Sequence, residues 1–400
     1  MQMVFKTKRD NKGNVERYKA RLVAKGYTQR EGIDFTETFS PVSTKDSFRL
    51  VMALVAHFDL ELHQMDVKTA FLNGDLSEEV YMSQSEGFKE KGKENMVCRL
   101  KRSIYGLKQA SRQWYLKFDK IVTSFGFIEN KFDQCIYMKV NGSKYIFMVL
   151  YINDILLASS DVNLLNDTKR ILSANFDMKD LGEAYFTCKA GDVPVVKGDK
   201  LSNEQCPKND LEKDAMKTIP YASAIGSLML HKRVDNLEVV GYSNSDFGGC
   251  YDDPKSTSGC IFMLVGGAIS WKSVKQSLIA SSTMYAEFVA CYGASSQAIW
   301  LRNLISEFQV VDSIFRPIVI YCDNNAVVFY SKNNKISTCS KHMEIKYLIV
   351  QDLVKKGDIV IEHIRTESML ADPLTKGLKP ITFKEHVVNM GVIKSFDSLV

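Results

Sequence analysis

The 400-residue sequence predicts a mixed α/β (α+β) protein organised as successive domains. Three observations carry this reading. The length exceeds what a single core usually serves. Two apolar runs, 145–150 and 155–158, flank a tight turn at Tyr151-Ile152-Asn153-Asp154, which is a strand hairpin pattern. Beyond residue 237, three strand patterns, a long helical pattern and another strand follow one another.

The elements justify themselves in order. Residues 5–25 alternate Lys and Arg with small apolar groups around a turn at Asn11-Lys12-Gly13-Asn14, so they predict a strand hairpin with one cationic face. Lys19, Arg21 and Lys25 on it are candidates for phosphate contact. The polar stretch 43–47 precedes an apolar helical pattern over 48–56. Residues 60–67 alternate as a strand that carries Asp66 at its end. A carboxylate there suits a divalent cation carrying phosphates. Trp114, Tyr115 and Phe118 share one helix face and predict core packing. The 145–158 hairpin presents Asn153 and Asp154 on a rigid turn, a suitable platform for metal ligands. Residues 187–236, rich in Lys, Asp, Asn and Gly, predict a weakly structured linker. Strands are then expected over 237–243, 258–265 and 268–271, a helix over 282–300, and a strand over 317–322 that ends on Asp323. His363 lies in a strand pattern and His342 opens a helix.

Composition narrows the class. The hydrophobic fraction is 45% and the net charge is +5, ordinary for a globular chain and compatible with an anionic partner. No apolar run reaches membrane-spanning length and no secretory signal opens the chain, so an intracellular protein without a membrane segment is expected. The nine Cys form no C-x-x-C pairs, which points to reduced thiols rather than a zinc site or disulfide framework.

Longer motifs carry a specific resemblance. They are 18–26 (YKARLVAKG), 66–74 (DVKTAFLNG), 80–82 (VYM), 103–115 (SIYGLKQASRQWY) and the YIND hairpin. Farther on come 242–246 (YSNSD), Glu287 in SSTMYAEF, Asp323 in YCDN and Asp372 in LADPLTK. In this order they resemble the copia-type retrotransposon Pol polyprotein across nearly the whole chain. The resemblance implies reverse-transcriptase fingers and palm over 1–186 and a truncated thumb and connection over 187–236. It further implies a ribonuclease H-like domain with a five-stranded mixed sheet and flanking helices over 237–376, and a helical tail over 377–400. By resemblance, Asp66, position 153 and Asp154 hold the polymerase metals, and Phe71 selects deoxynucleotides sterically. Tyr105, Gly106 and Lys108 abut the nascent pair, while Lys19, Arg21 and Lys25 meet the triphosphate. Position 244, Glu287, Asp323 and Asp372 hold the nuclease metals, and Asp246 is a possible substitute ligand. The cofactor implied is Mg²⁺, with Mn²⁺ as an alternative. The partners implied are an RNA template, a DNA primer, an RNA–DNA hybrid and deoxynucleotides, in a cytoplasmic particle; the oligomeric state stays open.

Two departures from the family pattern matter. Asn153 and Asn244 each stand where the family places the leading metal-binding Asp, and an amide lacks the charge that hard cations favour. Internal deletions flank the linker, where a segment after Phe186 and a thumb helix beginning at 221–229 are cut short. Severely reduced catalysis is therefore expected. The alternatives are an inactive nucleic-acid-binding scaffold or a decaying element fragment.

Overall fold

The structure is a computed structural model that describes residues 2–10, 13–84, 87, 89, 91–93, 95–184, 237–248, 254–309, 316–333 and 341–391. The linker expected over 187–236, with its thumb-helix start, lies outside the described residues. The α-helices among the described residues are α1 (Lys45–Phe58), α2 (Ala110–Ser124), α3 (Val162–Asn175), α4 (Thr283–Ser306), α5 (Asn325–Lys332), α6 (Lys341–Lys355) and α7 (Pro380–Asn389). The chain divides into two compact units, residues 1–43 with 61–184, and residues 44–60 with 185–400.

The first unit is organised by an antiparallel six-stranded sheet. Its strands are β3 (Glu61–Val67), β6 (Ile128–Glu129), β7 (Ile136–Asn141), β8 (Lys144–Tyr151), β9 (Asp154–Ser159) and β10 (Met178–Glu183). They lie in the order β10-β3-β9-β8-β7-β6. β8 and β9 form the expected hairpin, closed by Ile152 and Asn153 alone. Five consecutive residues of β8 are buried, so both faces of this central strand are covered. Helix α2 places Trp114, Tyr115, Phe118 and Val122 on one side by its 3.6-residue period, and all four are buried against Met65, Tyr137, Met148 and Ile155. Helix α3 adds Leu164, Leu165 and Leu172 to the same core. It starts where the Asp161 carboxylate accepts the Leu164 N–H at 2.9 Å, a side-chain N-cap. Two smaller ribbons belong to this unit. One pairs β1 (Gln2–Arg9) with β2 (Val15–Val23), the basic hairpin expected from the sequence; the other pairs β4 (Tyr81–Ser83) with β5 (Val97–Arg99).

The second unit holds a five-stranded mixed sheet, as the resemblance implied. Its strands are β11 (Val240–Ser245), β12 (Thr257–Leu264), β13 (Gly267–Lys275), β14 (Ile318–Cys322) and β15 (Ile359–His363), in the order β13-β12-β11-β14-β15. β11, β12 and β13 are antiparallel neighbours, whereas β11, β14 and β15 run parallel. Parallel pairing requires a crossover, and α4 supplies the one between β13 and β14. α4 starts at the Ser282 N-cap, whose hydroxyl accepts the Tyr285 N–H at 3.2 Å. Its Phe288 ring stacks on Tyr347 of α6 with centroids 4.0 Å apart.

Helix α1 also packs in this second unit, which sequence order does not suggest. Asp46 accepts from Ser270 Oγ at 2.7 Å and Gln297 Nε2 at 3.2 Å, and pairs with Arg49 at 2.9 Å. The Arg49 guanidinium lies 3.7 Å from the Trp271 ring centroid, a cation–π contact. These partners satisfy a half-buried charge that would otherwise be costly.

Candidate metal centres

The first centre forms where β3 meets the β8–β9 turn. Asp66 and Asp154 are direct cross-strand partners, so the antiparallel register alone sets the two carboxylates side by side. Asn153 occupies the turn beside them. Its Nδ2 donates to Asp66 Oδ1 at 2.5 Å, and its carbonyl accepts the Val67 N–H at 2.8 Å. Asp154 Oδ1 accepts from Gln64 Nε2 at 3.1 Å. The turn is strained, since the β-branched Ile152 adopts φ +62°. The Trp114 indole N–H holds it by donating to the Ile152 carbonyl at 2.7 Å.

The neighbouring residues divide into two groups. Arg21 lies 5.2 Å from the Tyr105 ring centroid, and Tyr105 meets Phe71 edge to face at 5.6 Å. Lys19, two residues back on β2, lies near enough to Asp66 for the carboxylate to raise its pKa. Partial desolvation and then Arg21, Arg17 and Lys8 outweigh this and lower it. Of these residues, Lys19 is the one whose charge senses Asp66. Lys108 is engaged elsewhere, with its Nζ 3.3 Å from the Gln29 carbonyl and 4.7 Å from the Phe35 ring centroid. Lys25 lines a cleft of about 430 Å³ with Asp34, Tyr81 and Gln84.

Gly106 packs against the Ala24 backbone, next to Tyr105, whose carbonyl accepts the Ala24 N–H at 2.7 Å. Its φ is +88°, and a Cβ there would collide with the Ala24 carbonyl. Replacing Gly106→Ala is expected to destabilise this unit by about 2–4 kcal/mol, combining the φ penalty with the backbone clash. Urea denaturation followed by the unit's tryptophan fluorescence measures it.

The second centre forms at the end of β11. Asn244 pairs with Gly259 of β12, where a Cβ would press on Thr375 Cγ2 at 2.6 Å and Leu374 Cβ at 2.9 Å. The missing side chain lets the short helical turn Asp372–Leu374 sit directly over the sheet. Asn244 Nδ2 donates to Asp372 Oδ1, and also lies 3.2 Å from Thr375 Oγ1. Lys376 pairs with the other Asp372 oxygen at 2.9 Å. Burial raises the Asp372 pKa, against the pull of Lys376. Asp246 turns away from this group, and its carboxylate accepts the Thr257 N–H.

Glu287 of α4 is only 6% exposed, and its Oε2 has no hydrogen-bond partner among the described residues. Its carboxylate, Asp323 and the Cys322 thiol bring ligand atoms within 4.8 Å of one another. Burial first, and the Asp323 carboxylate second, push the Glu287 pKa up to about 8 from 4.5. The folded chain therefore keeps a proton there that the unfolded chain loses above about pH 4.5. Stability from this group is full below that pH and drains away as pH rises through about 8. The Glu287→Gln variant should match the parent near pH 4.5 and exceed it by roughly 2–4 kcal/mol above pH 8. Thermal melts across that pH range check this.

Sequence reasoning did not assign roles to Gln64, Cys322, Lys376 or the Trp114 indole. Cys322 and Lys376 had a readable signal, since each lies within a motif containing a candidate carboxylate.

The donor sets can be weighed against the paired hard cations that the resemblance implied. Each centre presents an amide N–H, not an oxygen, toward a carboxylate. The second also commits Asp372 to a lysine. Neither set, as arranged, fits two Mg²⁺ ions, which demand charged oxygens in regular geometry.

Residues 1–189 match the reverse transcriptase (RNA-dependent DNA polymerase) family. This segment belongs to that family. The reverse transcriptase segment thus contains the whole β3, β8 and β9 centre. Over 93% of its length, the chain is 35% identical to the retrovirus-related Pol polyprotein from transposon TNT 1-94 of Nicotiana tabacum. Over 98% it is 31% identical to the Pol polyprotein from transposon RE1 of Arabidopsis thaliana. It covers 34% and 31% of those relatives, so it spans about a third of the curated proteins it matches. Solved structures similar to it include LC11-RNase H1 in complex with an RNA/DNA hybrid, at TM-score 0.26 and 14% identity, covering 34% of this chain and 94% of that one. Another is the foamy viral protease-reverse transcriptase in complex with dsDNA, at TM-score 0.41 and 11% identity, covering 78% and 70%. Among the described residues, no helix is long and apolar enough to cross a membrane.

Proposed function

We propose that the chain is the reverse transcriptase and ribonuclease H portion of a copia-type retrotransposon Pol polyprotein, with both metal centres closed by asparagine. The observation that carries this reading is the repeated contact: Asn153 donates to Asp66 and Asn244 donates to Asp372. In the parent activity, copying RNA into DNA and cutting the RNA of a hybrid, such centres hold divalent cations, Mg²⁺ or Mn²⁺. Here an amide satisfies the carboxylate from within. The proposed polymerase ligands are Asp66 and Asp154, and the proposed nuclease ligands are Glu287, Asp323 and Asp372.

The contacts proposed for nucleic acid and nucleotide follow from placement. Lys19 and Arg21 lie on the basic β2 strand near Asp66, where phosphate would meet cations. Phe71 and Tyr105 form an apolar pair beside them. Lys25, Gly106 and Lys108 are proposed as further nucleotide contacts by resemblance. The aligned length against the tobacco relative, 453 residues, exceeds the 400 of this chain, so that relative carries segments with no counterpart here. This supports internal deletions and, with them, weakened grip on template and primer. The domains proposed are polymerase fingers and palm to residue 186, a thumb remnant to 236, the nuclease to 376 and a tail beyond.

Retained binding without turnover is the second reading. Its support is that each amide fills a hydrogen-bonding role toward its neighbouring carboxylate. One experiment separates the outcomes. The purified chain is mixed with an RNA–DNA hybrid in Mg²⁺ and then in Mn²⁺, with binding followed by fluorescence anisotropy and cleavage by gel. The expected result is binding with little cleavage, and at most a trace in Mn²⁺. Brisk cleavage would overturn the closed-centre reading. Absence of binding by a folded chain would remove the nucleic-acid role.

A further inference from the structure

The second centre is poorly suited to hard cations, yet three of its groups still converge. Glu287, Cys322 and Asp323 offer two carboxylates and a thiol, with ligand atoms within 4.8 Å of one another. Position in the fold produces this. Cys322 is the last residue of β14 and Asp323 follows it, while Glu287 faces them from the first turns of α4. A cysteine at a strand end is usually packing, and Cys322 does contribute to a core cluster with Phe288 and Val350. A second observation points beyond packing. Glu287 is 94% removed from solvent, its carboxylate reaches the other two groups, and its Oε2 has no hydrogen-bond partner among the described residues. A buried acceptor left unpaired is costly, and a cation supplies what it lacks.

We propose that Glu287, Cys322 and Asp323 form a binding site for a soft or borderline divalent cation, Zn²⁺ or Cd²⁺, rather than for Mg²⁺. One sulfur with two oxygens is a donor set that borderline metals accept and that Mg²⁺ does not favour. A tetrahedral zinc with Zn–S about 2.3 Å and Zn–O about 2.0–2.2 Å spaces its ligand atoms about 3.5 Å apart. Closing from 4.8 Å therefore needs a shift of about 1 Å, within reach of side-chain rotation at Glu287 and Asp323. As the metal binds, the Cys322 S–H bond and the Glu287 O–H bond break, the freed sulfur and oxygen bond the metal, and both protons leave to solvent. Solvent supplies the fourth ligand. Asp372 stays outside the set, held by Asn244 and Lys376.

The test uses the full chain without nucleic acid, so its failure is distinct from failure of the nuclease reading. Cd²⁺ is titrated while the ultraviolet cadmium–thiolate charge-transfer band is recorded. Cys98 is exposed, and Cys188, Cys206, Cys250 and Cys339 lie outside the described residues, so each variant is compared with the parent in a background where these five are serine. The expected result is a saturating one-equivalent band that disappears in Cys322→Ala. Glu287→Gln should weaken it at least tenfold, Asp352→Asn on the exposed face of α6 should leave it unchanged, and excess Mg²⁺ should not displace the metal. An equal band in Cys322→Ala, or no band in the parent, overturns the proposal. Should Cys322→Ala fail to fold by circular dichroism, Asp323→Asn and Glu287→Gln decide: unaltered affinity in both refutes the site.

Discussion

Replacing Asn244→Asp is expected to raise cleavage of the RNA strand in an RNA–DNA hybrid by about 10²-fold or more in Mg²⁺. That is the scale carried by one electrostatic group aimed at the reacting centre. In the proposed reading the second unit keeps the carboxylates Glu287, Asp323 and Asp372, so one charge is the principal gap. The same change carries a cost without cations. Asn244 now donates to Asp372, and an aspartate there would set two carboxylates against each other. Lys376 offsets only one of them. The metal-free variant should therefore lose about 1–3 kcal/mol of stability and regain it on adding Mg²⁺. Cleavage rates and melts with and without Mg²⁺ read both effects. A variant that is folded, stabilised by Mg²⁺ and still inert would place the damage in hybrid binding.

The largest loss of stability is expected from Trp114→Ala, about 3–5 kcal/mol. The indole is 2% exposed, with Phe118 and Phe176 ring centroids at 5.6 and 5.1 Å. Its N–H also anchors the strained hairpin through the Ile152 carbonyl. Trp114→Phe separates the two roles. It keeps most of the apolar packing but orphans the carbonyl, so a loss of about 1–2 kcal/mol is expected, with altered Mg²⁺ response in Asn153→Asp carriers. Equal losses in both variants would show that the hydrogen bond, not the packing volume, dominates.

The β8–β9 hairpin was legible because its chemistry is local. Two apolar runs around a two-residue turn leave few alternatives, and register then places Asp66 opposite Asp154. The five-stranded order was legible only through motif order, since no local pattern tells a strand which neighbour to choose. Helix α1 shows the limit. The polar stretch 43–47 and the apolar pattern after it predict a helix, but nothing in residues 45–58 specifies packing against Trp271, more than two hundred positions away. The site behaves likewise. Asn153 and Asn244 could be read as missing charges, whereas their active role as donors to Asp66 and Asp372 depends on three-dimensional closeness. Cys322 was masked by its ordinary place at the end of an apolar strand. Asp246 lies two residues from Asn244, as a substitute ligand would, yet its bond to the β12 backbone follows from how that strand pairs.

The account rests on the claim that an asparagine amide, in place of a carboxylate, keeps divalent cations out. Calorimetric titration of Mg²⁺ into the parent, Asn153→Asp and Asn244→Asp, with deoxynucleotide present for the polymerase centre, tests it most directly. The account predicts no saturable heat in the parent and, in each variant, a new site at least tenfold tighter than anything the parent shows. Equal Mg²⁺ affinity in parent and variants would contradict it.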